Sequence, residues 1–543
     1  MPAPHAAPLI AELHALVEIQ GGDVRAAEVA EAVAALERDG ECELLDRLRE
    51  STPEGLFEML RIPGLGPSRI RRIHEGLGID SLQGLESAAR DGRLKALPRF
   101  GSATAEQVIR GIAALRESGT PLLLPHARAE ADRLLALVRA HPAVVRAEVS
   151  GDVRRCSEVV RDLDLVVACR GEPEPVATQF ARGPLVRSAL GTGTRRVTLR
   201  YADGTRLTLH CVPEREFVVA WWRTTGSAAH VAAVTAHAAG RRFRLSDGLT
   251  DAMGSTVPVA DEAALYAVLG LQFVPLELRE GRGEVEDAEA RAIPRLLTLG
   301  ELRGVLHCHS HYSDGTTTIA ELAAEGRRRG WGYVGISDHS QSAFYTGGLT
   351  AESIARQHDE IDALNATLDG FRVLKGVEAD ILPDGRVDYP LDVLEGFDYV
   401  IASVHSRFGM DGAQMTERVL KALDDPYVTI LGHPTGRLLL TREAYALDVG
   451  AVLEKAGATG VAVELNADPH RLDLDWRHGR DARRHGALIE IGPDAHSVEG
   501  LDNVSLGVDM ARKGGLTAND VLNARNAADV LAFARARRTH AAR

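Results

Sequence analysis

The sequence is poor in aromatic residues, in cysteine and in long apolar runs. Aromatic residues make up 4% of its 543 residues, and no run approaches the roughly 18–20 apolar residues of a membrane span. These shortages exclude a membrane-spanning chain and a membrane partner. The segment MPAPHAAPLIAELHALVE at the N-terminus lacks the basic and long apolar regions of a secretion signal. The cysteines are scattered and form no CxxC pair, which predicts reduced thiols and a cytoplasmic protein; they are Cys42, Cys156, Cys169, Cys211 and Cys308.

The length of the chain predicts several domains, whereas its net charge does not decide its function. A chain of 543 residues is too long for one ordinary core, so several domains are expected. The net charge of −14 does not exclude nucleic acid, because metal sites need acids and local basic patches matter more than the total. Changes of pattern predict a helical region at 1–120, a mixed α/β region at 121–285, a linker at 286–300 and a C-terminal domain at 301–543.

From residue 304 onward, a metal-binding side chain ends one short apolar run after another. Helix-length segments separate these runs, as in a β/α barrel whose strands deliver side chains to one face. The candidate metal ligands are His307, His309, Asp314, His339, Glu378, His405, His433, Asp494 and His496. Motif by motif they resemble the PHP (polymerase and histidinol phosphatase) domain, which implies a distorted (β/α)7 barrel with every ligand position filled.

The ligand types predict the metals and the chemistry. Imidazoles with three carboxylates suit Mn²⁺ or Zn²⁺, and also Fe²⁺, better than Mg²⁺, which prefers oxygen ligands. Nine ligands exceed the needs of one ion and predict a cluster of two or three, with Glu378 and Asp494 as bridging carboxylates. The expected catalyst is a metal-activated water, with no separate side-chain base. Four further residues are expected to support the site, namely His311, Asp338, Asp380 and His470.

Two glycine-containing turns lie in the N-terminal helical region. The segment LRIPGLGPSRI (60–70) resembles a helix-hairpin-helix DNA-binding motif, in which backbone N–H groups around Gly64 and Gly66 bind a phosphate. Arg69, Arg71 and Arg72 would add contacts that do not read sequence. The second copy, LPRFG (97–101), departs from the pattern because Arg99 replaces its first glycine.

The middle region resembles a nucleotidyltransferase palm. Asp162 and Asp164, spaced i and i+2 on a predicted strand, point the same way and can share a divalent ion. The order of elements through Thr225-Gly226-Ser227 and on into the C-terminal barrel resembles the bacterial family X DNA polymerases over nearly the whole chain. That resemblance implies a multidomain fold with an α-helical helix-hairpin-helix region, an α+β palm and a PHP barrel.

Four departures affect the polymerase chemistry. The third carboxylate of a two-metal site falls at Thr208, which is not a charged ligand. The family's glycine-serine motif is Gly151-Asp152, which puts a negative charge where a nucleotide phosphate would lie. Its aromatic pair is Arg223-Thr224, and Ala228 replaces the usual lysine. Together these departures predict a degenerate palm metal site at Asp162 and Asp164.

The resemblance implies a DNA-binding, metal-dependent phosphoesterase. The expected activities are 3′–5′ exonuclease, 3′-end processing or abasic-site processing in DNA repair, with polymerase activity weak or lost. Its partner would be DNA, as a single strand, a primer 3′ end, or a gapped or damaged duplex, in a nucleoid-associated protein; protein partners are left unknown by the sequence. Two alternatives remain open, an active gap-filling polymerase with a PHP exonuclease and a DNA-binding scaffold with structural metals. A small-molecule phosphatase would leave the N-terminal half without a use.

Overall fold

The structure is a computed structural model that describes residues 6–20, 24–39, 42–98, 100–117, 121–183, 186–201, 204–343 and 346–541. These residues form two compact units. One unit contains the chain up to Leu60, Gly66–Asp80 and the chain from Leu296 onward; the other contains Arg61–Leu65 and Ser81–Arg295. No helix in the described ranges is long and apolar enough to cross a membrane.

The N-terminal helices belong to the same unit as the C-terminal barrel. They are α1 (Ala6–Gln20), α2 (Ala26–Asp39), α3 (Glu43–Glu50), α4 (Glu54–Leu60) and α5 (Pro67–Leu77). Their apolar residues recur at helical spacing, and Leu13, Leu16 and Leu36 are fully buried between them. Within this unit, Asp46 of α3 accepts the backbone N–H of Arg407 at 3.2 Å, so the helices pack on a loop of the barrel.

The second unit begins with helices and continues into a mixed sheet. Its helices are α6 (Leu82–Asp91), α7 (Ser102–Glu117), α8 (Leu124–Arg139), α9 (Gly151–Arg154), α10 (Pro173–Ala181), α11 (Phe217–Thr225), α12 (Ala228–Gly240), α13 (Glu262–Val268) and α14 (Glu284–Glu289). Its strands are β1 (Leu122–Leu123), β2 (Val144–Ser150), β3 (Val159–Val160), β4 (Leu163–Cys169), β5 (Val186–Leu190), β6 (Arg196–Tyr201), β7 (Arg206–Pro213), β8 (Arg244–Leu245), β9 (Leu249–Thr250) and β10 (Thr256–Val257).

The palm is the five-stranded sheet of this unit, in the order β2-β4-β7-β6-β5. Strands β4 and β7 run parallel, and the other neighbours are antiparallel. Apolar residues that alternate along β4 and β7 bury one face, where Val166 and Ala168 pack against Phe217 and Ala220 of α11. The polar residues Asp164, Thr208 and His210 lie on this same face, nearer the start of β4 and β7, while Leu165 and Leu209 lie on the opposite face.

The C-terminal barrel alternates strands with helices. Its strands are β11 (Gly304–Val305), β12 (Tyr333–Ile336), β13 (Arg372–Asp380), β14 (Tyr399–Ser403), β15 (Val428–Leu431), β16 (Ala462–Asn466) and β17 (Ile489–Gly492). Its helices are α15 (Ile319–Arg328), α16 (Ala351–Asn365), α17 (Leu391–Leu394), α18 (Gly412–Ala422), α19 (Val449–Thr459), α20 (Gly479–His485), α21 (Val504–Lys513) and α22 (Ala527–Ala541).

The seven barrel strands are all parallel and follow one another in chain order. A parallel bridge between Cys308 and Ala495 joins the first strand to the last, so the sheet is nearly closed. The predicted fold class is therefore confirmed: a helical N-terminal region, an α+β palm and a distorted seven-stranded barrel.

The strands of the barrel are apolar because both of their faces are covered. Tyr399 lies at the centre of the barrel, fully buried, and its hydroxyl donates to the carbonyl of Leu306. Gly335 and Gly376 make room for this ring, since a Cβ at either position would lie 2.3 Å or 2.2 Å from an atom of Tyr399. This tightly packed centre of the barrel supports the polar residues at the ends of the strands.

Candidate functional site

The structure brings the predicted ligands together at the carboxyl ends of the barrel strands. Most of them follow a strand by two or more residues, as His405 follows β14 and His433 follows β15. Glu378 lies within the last part of β13. Asp494 adopts a left-handed backbone with φ of 50°, a conformation that non-glycine residues rarely take outside constrained sites.

Glu378 lies at the centre of the cluster, 1% exposed, and its two oxygens face different histidines. Its Oε1 lies 2.9 Å from Nε2 of His433 and 3.1 Å from Nε2 of His405. Its Oε2 lies 3.0 Å from Nδ1 of His339, 3.4 Å from Nε2 of His307 and 3.6 Å from Nε2 of His309. A carboxylate with this division of oxygens fits the bridging position that the sequence predicts.

Seven of the nine predicted ligands fall into three overlapping groups whose ligand atoms lie within 4.8 Å of one another. Any two of these groups share one residue. The groups are His309, Asp314, His339 and His496; His307, His309 and Glu378; and His339, Glu378 and His405. His433 and Asp494 lie outside these groups but contact Glu378 and His309 directly. Such overlap is what a cluster of neighbouring ions requires.

Asp314 and Asp494 differ in how they present their oxygens. Asp494 turns Oδ1 toward His309 at 3.1 Å and His307 at 3.5 Å, while its Oδ2 accepts from Asn466 Nδ2 at 2.9 Å. Asp314 instead divides its oxygens, with Oδ1 3.7 Å from His309 and Oδ2 3.5 Å from His339. In this geometry Asp314 has the arrangement that the sequence assigns to Asp494.

Two acidic residues orient histidines of the cluster by accepting hydrogen bonds from N–H groups that do not face Glu378. Glu464 of β16 accepts from Nδ1 of His307 at 2.5 Å, and its other oxygen accepts the backbone N–H of His433 at 2.6 Å. Asp380 accepts from Nδ1 of His405 at 2.7 Å. A carboxylate behind a histidine fixes its tautomer and its ring orientation. Sequence reasoning expected a supporting role for Asp380 but missed Glu464, whose only signal is an acid inside the apolar run VAVELN.

The other residues expected to support the site have different positions. Asp338 holds the loop after β11, accepting from the hydroxyls of Ser310 at 2.6 Å and Ser313 at 2.5 Å. His311, in the same loop, is exposed. His470 lies beside Asp468, with 3.0 Å between Nδ1 and Oδ1. Asp338 therefore positions the loop that carries His309 and Asp314 and does not contact a histidine itself.

The buried histidines and carboxylates change one another's pKa values. Burial alone would raise the pKa of Glu378, but His405, His307 and His339 hold it well below its usual range. Burial and the cationic neighbours His496 and His339 lower the pKa of His309 to about 4. Opposite shifts within one cluster are typical of functional sites.

The donor set and its unpaired atoms fit divalent transition metals. His307 Nε2, His309 Nδ1 and His339 Nδ1 are buried without a hydrogen-bond partner among the described residues. Each of these nitrogens lies between 3.0 and 3.7 Å from a carboxylate oxygen. Buried polar atoms are normally satisfied, so several unpaired imidazole nitrogens around carboxylates indicate ligands for an ion.

The palm brings together both predicted aspartates and the threonine that replaces the third carboxylate. Asp164 of β4 is paired in register with Thr208 of β7. Its Oδ1 lies 2.9 Å from Nε2 of His210, and Oδ1 of Asp162 lies 3.3 Å from Nη2 of Arg206. Each aspartate is thus engaged by a basic side chain of β7, and sequence reasoning missed both partners.

The first predicted hairpin has the expected local geometry. Gly64 has a φ of 81°, which favours glycine, and Gly66 is the N-cap of α5 with Pro67 in the first turn. Arg69 and Arg72 are half-buried on α5. Arg71 contacts α1 and its own helix, since Nη1 donates to the carbonyl of Glu18 at 3.4 Å and Nε lies 3.8 Å from Glu75. Arg99 of the second copy lies outside the described residues.

Three family models match the chain. Residues 57–114 match a SAM-like helix-hairpin-helix tandem, residues 220–280 match the DNA polymerase beta thumb, and residues 306–468 match the PHP domain. These matches confirm the tandem of hairpins, the polymerase-like middle region and the PHP barrel that the motifs predict.

Curated relatives cover either the whole chain or its C-terminal part. A protein of Bacillus subtilis (strain 168) named DNA polymerase/3′-5′ exonuclease PolX is 36% identical over 499 residues, which cover 91% of this chain and 87% of that protein. A probable phosphatase of Caldanaerobacter subterraneus subsp. tengcongensis is 30% identical over 36% of this chain and 78% of its own length. A probable phosphatase of Syntrophotalea carbinolica is 29% identical over 40% of this chain and 90% of its own length. The chain belongs to the bacterial family X DNA polymerases that carry a C-terminal PHP domain.

Proposed function

We propose that this protein is a DNA-binding, metal-dependent phosphoesterase that removes or processes nucleotides at DNA 3′ ends. The observation that carries the proposal is the position of Glu378, whose two oxygens face five histidines at the strand ends of the barrel. The name of the Bacillus subtilis relative includes a 3′-5′ exonuclease, and the shorter relatives are named probable phosphatases. Both names describe hydrolysis of phosphate esters.

The barrel residues would hold two or three Mn²⁺ or Zn²⁺ ions, with Fe²⁺ as a further fit to nitrogen and oxygen ligands. When bound, such ions supply an activated water and neutralise charge on the phosphoryl oxygens. Glu464 and Asp380 hold the protons on Nδ1 of His307 and His405, so that Nε2 of each ring faces Glu378. Most of the ligand side chains are buried, whereas those of His496 and Asp314 are 43% and 28% exposed.

The N-terminal hairpins would supply the DNA contacts. The N-terminus of α5, with Gly66 as its N-cap, suits a phosphate, and Arg69 and Arg72 lie on this helix. Arg71 of the same helix also contacts Glu18 and Glu75. The substrates we propose are a single strand, a primer 3′ end, and a gapped or damaged duplex, in the repair of DNA in the nucleoid.

Polymerase activity is proposed to be weak or lost because both aspartates of the palm site contact basic side chains and no third acid lies at position 208. Thr208 lies beside Asp164 where a third acid would complete a two-metal site. Arg206 and His210 contact the two remaining aspartates. Family membership favours the alternative, a gap-filling polymerase with a PHP exonuclease, so the experiment must separate the two activities.

The test uses a 5′-labelled primer annealed to a template, with Mn²⁺, in the presence and absence of all four deoxynucleotides. We expect shortening of the primer that persists in Asp162→Ala and disappears in His307→Ala and in Asp494→Ala. The matched control is His311→Ala, because His311 lies exposed in the same loop as His309 but outside the ligand groups.

Two results would count against the proposal. Primer extension that depends on Asp162 would mean that the palm is an active polymerase. Shortening that survives His307→Ala and Asp494→Ala would leave the barrel with structural metals only, which is the scaffold alternative.

A further inference from the structure

The polar face of the palm sheet is a row of directly paired residues, and these residues are mainly basic or hydroxylated. Between β6 and β7 the register pairs Arg196 with His210, Thr198 with Thr208, and Arg200 with Arg206. Residues directly opposite in a sheet share a face. Three arginines, a histidine and two threonines therefore surround the two aspartates on this face.

Contacts between side chains support this assignment of faces. The hydroxyl oxygens of Thr198 and Thr208 lie 3.0 Å apart, and Thr208 lies in register beside Asp164 on the parallel strand. His210 and Arg206 reach from β7 to Asp164 and Asp162, at 2.9 and 3.3 Å. The three strands thus carry adjacent polar side chains at this end of the sheet, beside Val166, Ala168 and Val212 of the same face.

The aspartates on this surface are not arranged to hold a cation. Oδ1 of Asp164 faces His210, and Oδ2 packs on Gly151, where an added Cβ would lie 2.8 Å from it. A third acid on the same face, Glu148 of β2, is paired with Arg139 at 3.0 Å. The carboxylates therefore balance neighbouring cations, and Arg196 remains exposed at the edge of the face.

We propose that this face binds a phosphate oxyanion without a divalent metal, and that in the working protein the phosphate belongs to a DNA strand. Arginine and threonine side chains are among the groups that contact DNA phosphates. In a two-metal palm the same strands would carry three carboxylates and would repel a phosphate unless ions were bound. With Thr208 in place of an acid, and with Arg206 and His210 beside the two aspartates, this face is less negative than one with three carboxylates.

The experiment measures binding of a fluorescent gapped duplex to the full-length protein in EDTA at several salt concentrations. We expect Arg196→Ala and Arg206→Ala each to weaken binding about tenfold, as for loss of a charge-assisted hydrogen bond. Each should also reduce the slope of log K against log salt by about 0.9. Thr208→Asp should weaken binding as well, because it restores a negative charge between the arginines.

The control is Arg215→Ala, an exposed arginine of the same unit whose Nη2 lies 3.5 Å from Oε1 of Glu216. Competition by a free nucleoside triphosphate in EDTA identifies the source of the phosphate. If the triphosphate displaces DNA from the wild type and not from Arg206→Ala, the face binds nucleotide phosphates; if it does not compete, the phosphate is that of the strand.

Unchanged binding in Arg196→Ala and Arg206→Ala would overturn the proposal, and so would tighter binding by Thr208→Asp in EDTA. Chelation keeps metals from the barrel throughout, so the outcome does not depend on whether the barrel is a nuclease.

Discussion

Nδ1 of His307 lies 2.5 Å from Oε1 of Glu464, and both side chains are fully buried. The second oxygen of Glu464 accepts the backbone N–H of His433 at 2.6 Å. One carboxylate of β16 therefore fixes two predicted metal ligands that follow β11 and β15. Because both of its oxygens accept from N–H donors, an amide cannot replace it without turning a donor toward a donor.

Glu464→Gln is therefore expected to lower metal affinity about 10–100-fold, the usual cost of losing a carboxylate behind a ligating histidine. Titration of the metal-free protein with Mn²⁺ or Zn²⁺ against a competing chelator measures the change. Glu454→Gln on the exposed side of α19 is the control and should leave the affinity unchanged. Equal affinities in the two variants would mean that Glu464 does not hold the ligands in place.

Gly376→Ala is expected to destabilise the barrel. The added Cβ would lie 2.2 Å from Cζ of Tyr399, which has no room to move because it is fully buried. Overpacking of this kind costs about 1–3 kcal/mol. Thermal unfolding should detect the loss, with Gly300→Ala as the control, since no atom lies within 4 Å of a Cβ built at that position. A barrel as stable as the wild type would show that Tyr399 can shift.

The candidate ligands that the structure brings together were visible in the sequence because most of them close an apolar run. His405 and His433 follow strands that are buried on both faces, so a polar residue there marks the point where the strand reaches the site. Glu464 was missed because it lies inside such a strand, β16, where it is paired in register with Glu490 of β17. A single acid within a buried strand is itself a signal, since burying it without a partner is costly.

The partners of the palm aspartates were not predictable in the same way. The alternation in RLTLHCVP predicts a strand and places Arg206, Thr208 and His210 on one face. Which of them meets Asp164 depends on the register between β4 and β7, two parallel strands separated by a long crossover. Periodicity within one strand carries no information about the register with another.

Metal binding is expected to strengthen as the pH rises from 6 to 9 and to release protons. Burial alone would lower the pKa of His405, but Glu378 and Asp380 raise it to about 10; Asp314 likewise raises the pKa of His496 to about 9. Both rings therefore carry protons in the metal-free protein at neutral pH, and an ion must displace them. Calorimetric titrations in buffers of different ionisation enthalpy count the protons released. Affinity that is independent of pH over this range would contradict the prediction.

The same shifts predict how the stability of the metal-free protein depends on pH. A histidine whose pKa is raised by folding stabilises the fold fully below its unfolded value of about 6.5 and loses that contribution as the pH rises toward the folded value. We therefore expect the metal-free barrel to melt at a lower temperature at pH 9 than at pH 6.5. Added Mn²⁺ should reduce or reverse this difference, because ions replace the protons. A metal-free melting temperature that rises toward pH 9 would contradict the assignment.

Glu262→Gln is expected to destabilise the second unit. Glu262 accepts paired hydrogen bonds from Arg154, at 2.8 Å, and from Arg279, at 2.9 and 3.0 Å. Burial alone would raise its pKa, but the two guanidinium groups lower it to about 2. Arg279 is fully buried, so the variant leaves a buried charge without its counter-ion, a loss of about 3–5 kcal/mol.

Hydrogen exchange of peptides from β4 and α11 measures the penalty of Glu262→Gln locally, which avoids a single unfolding transition for two units. A carboxylate with a lowered pKa stabilises the fold above its unfolded value and loses that contribution as the pH falls toward the folded one. The penalty should therefore be constant from pH 6 to 8 and shrink only below about pH 4.3. Glu289→Gln, at a side chain that is 59% exposed, is the control and should change protection by less than about 0.5 kcal/mol. Equal protection in both variants would mean that Arg279 finds another partner.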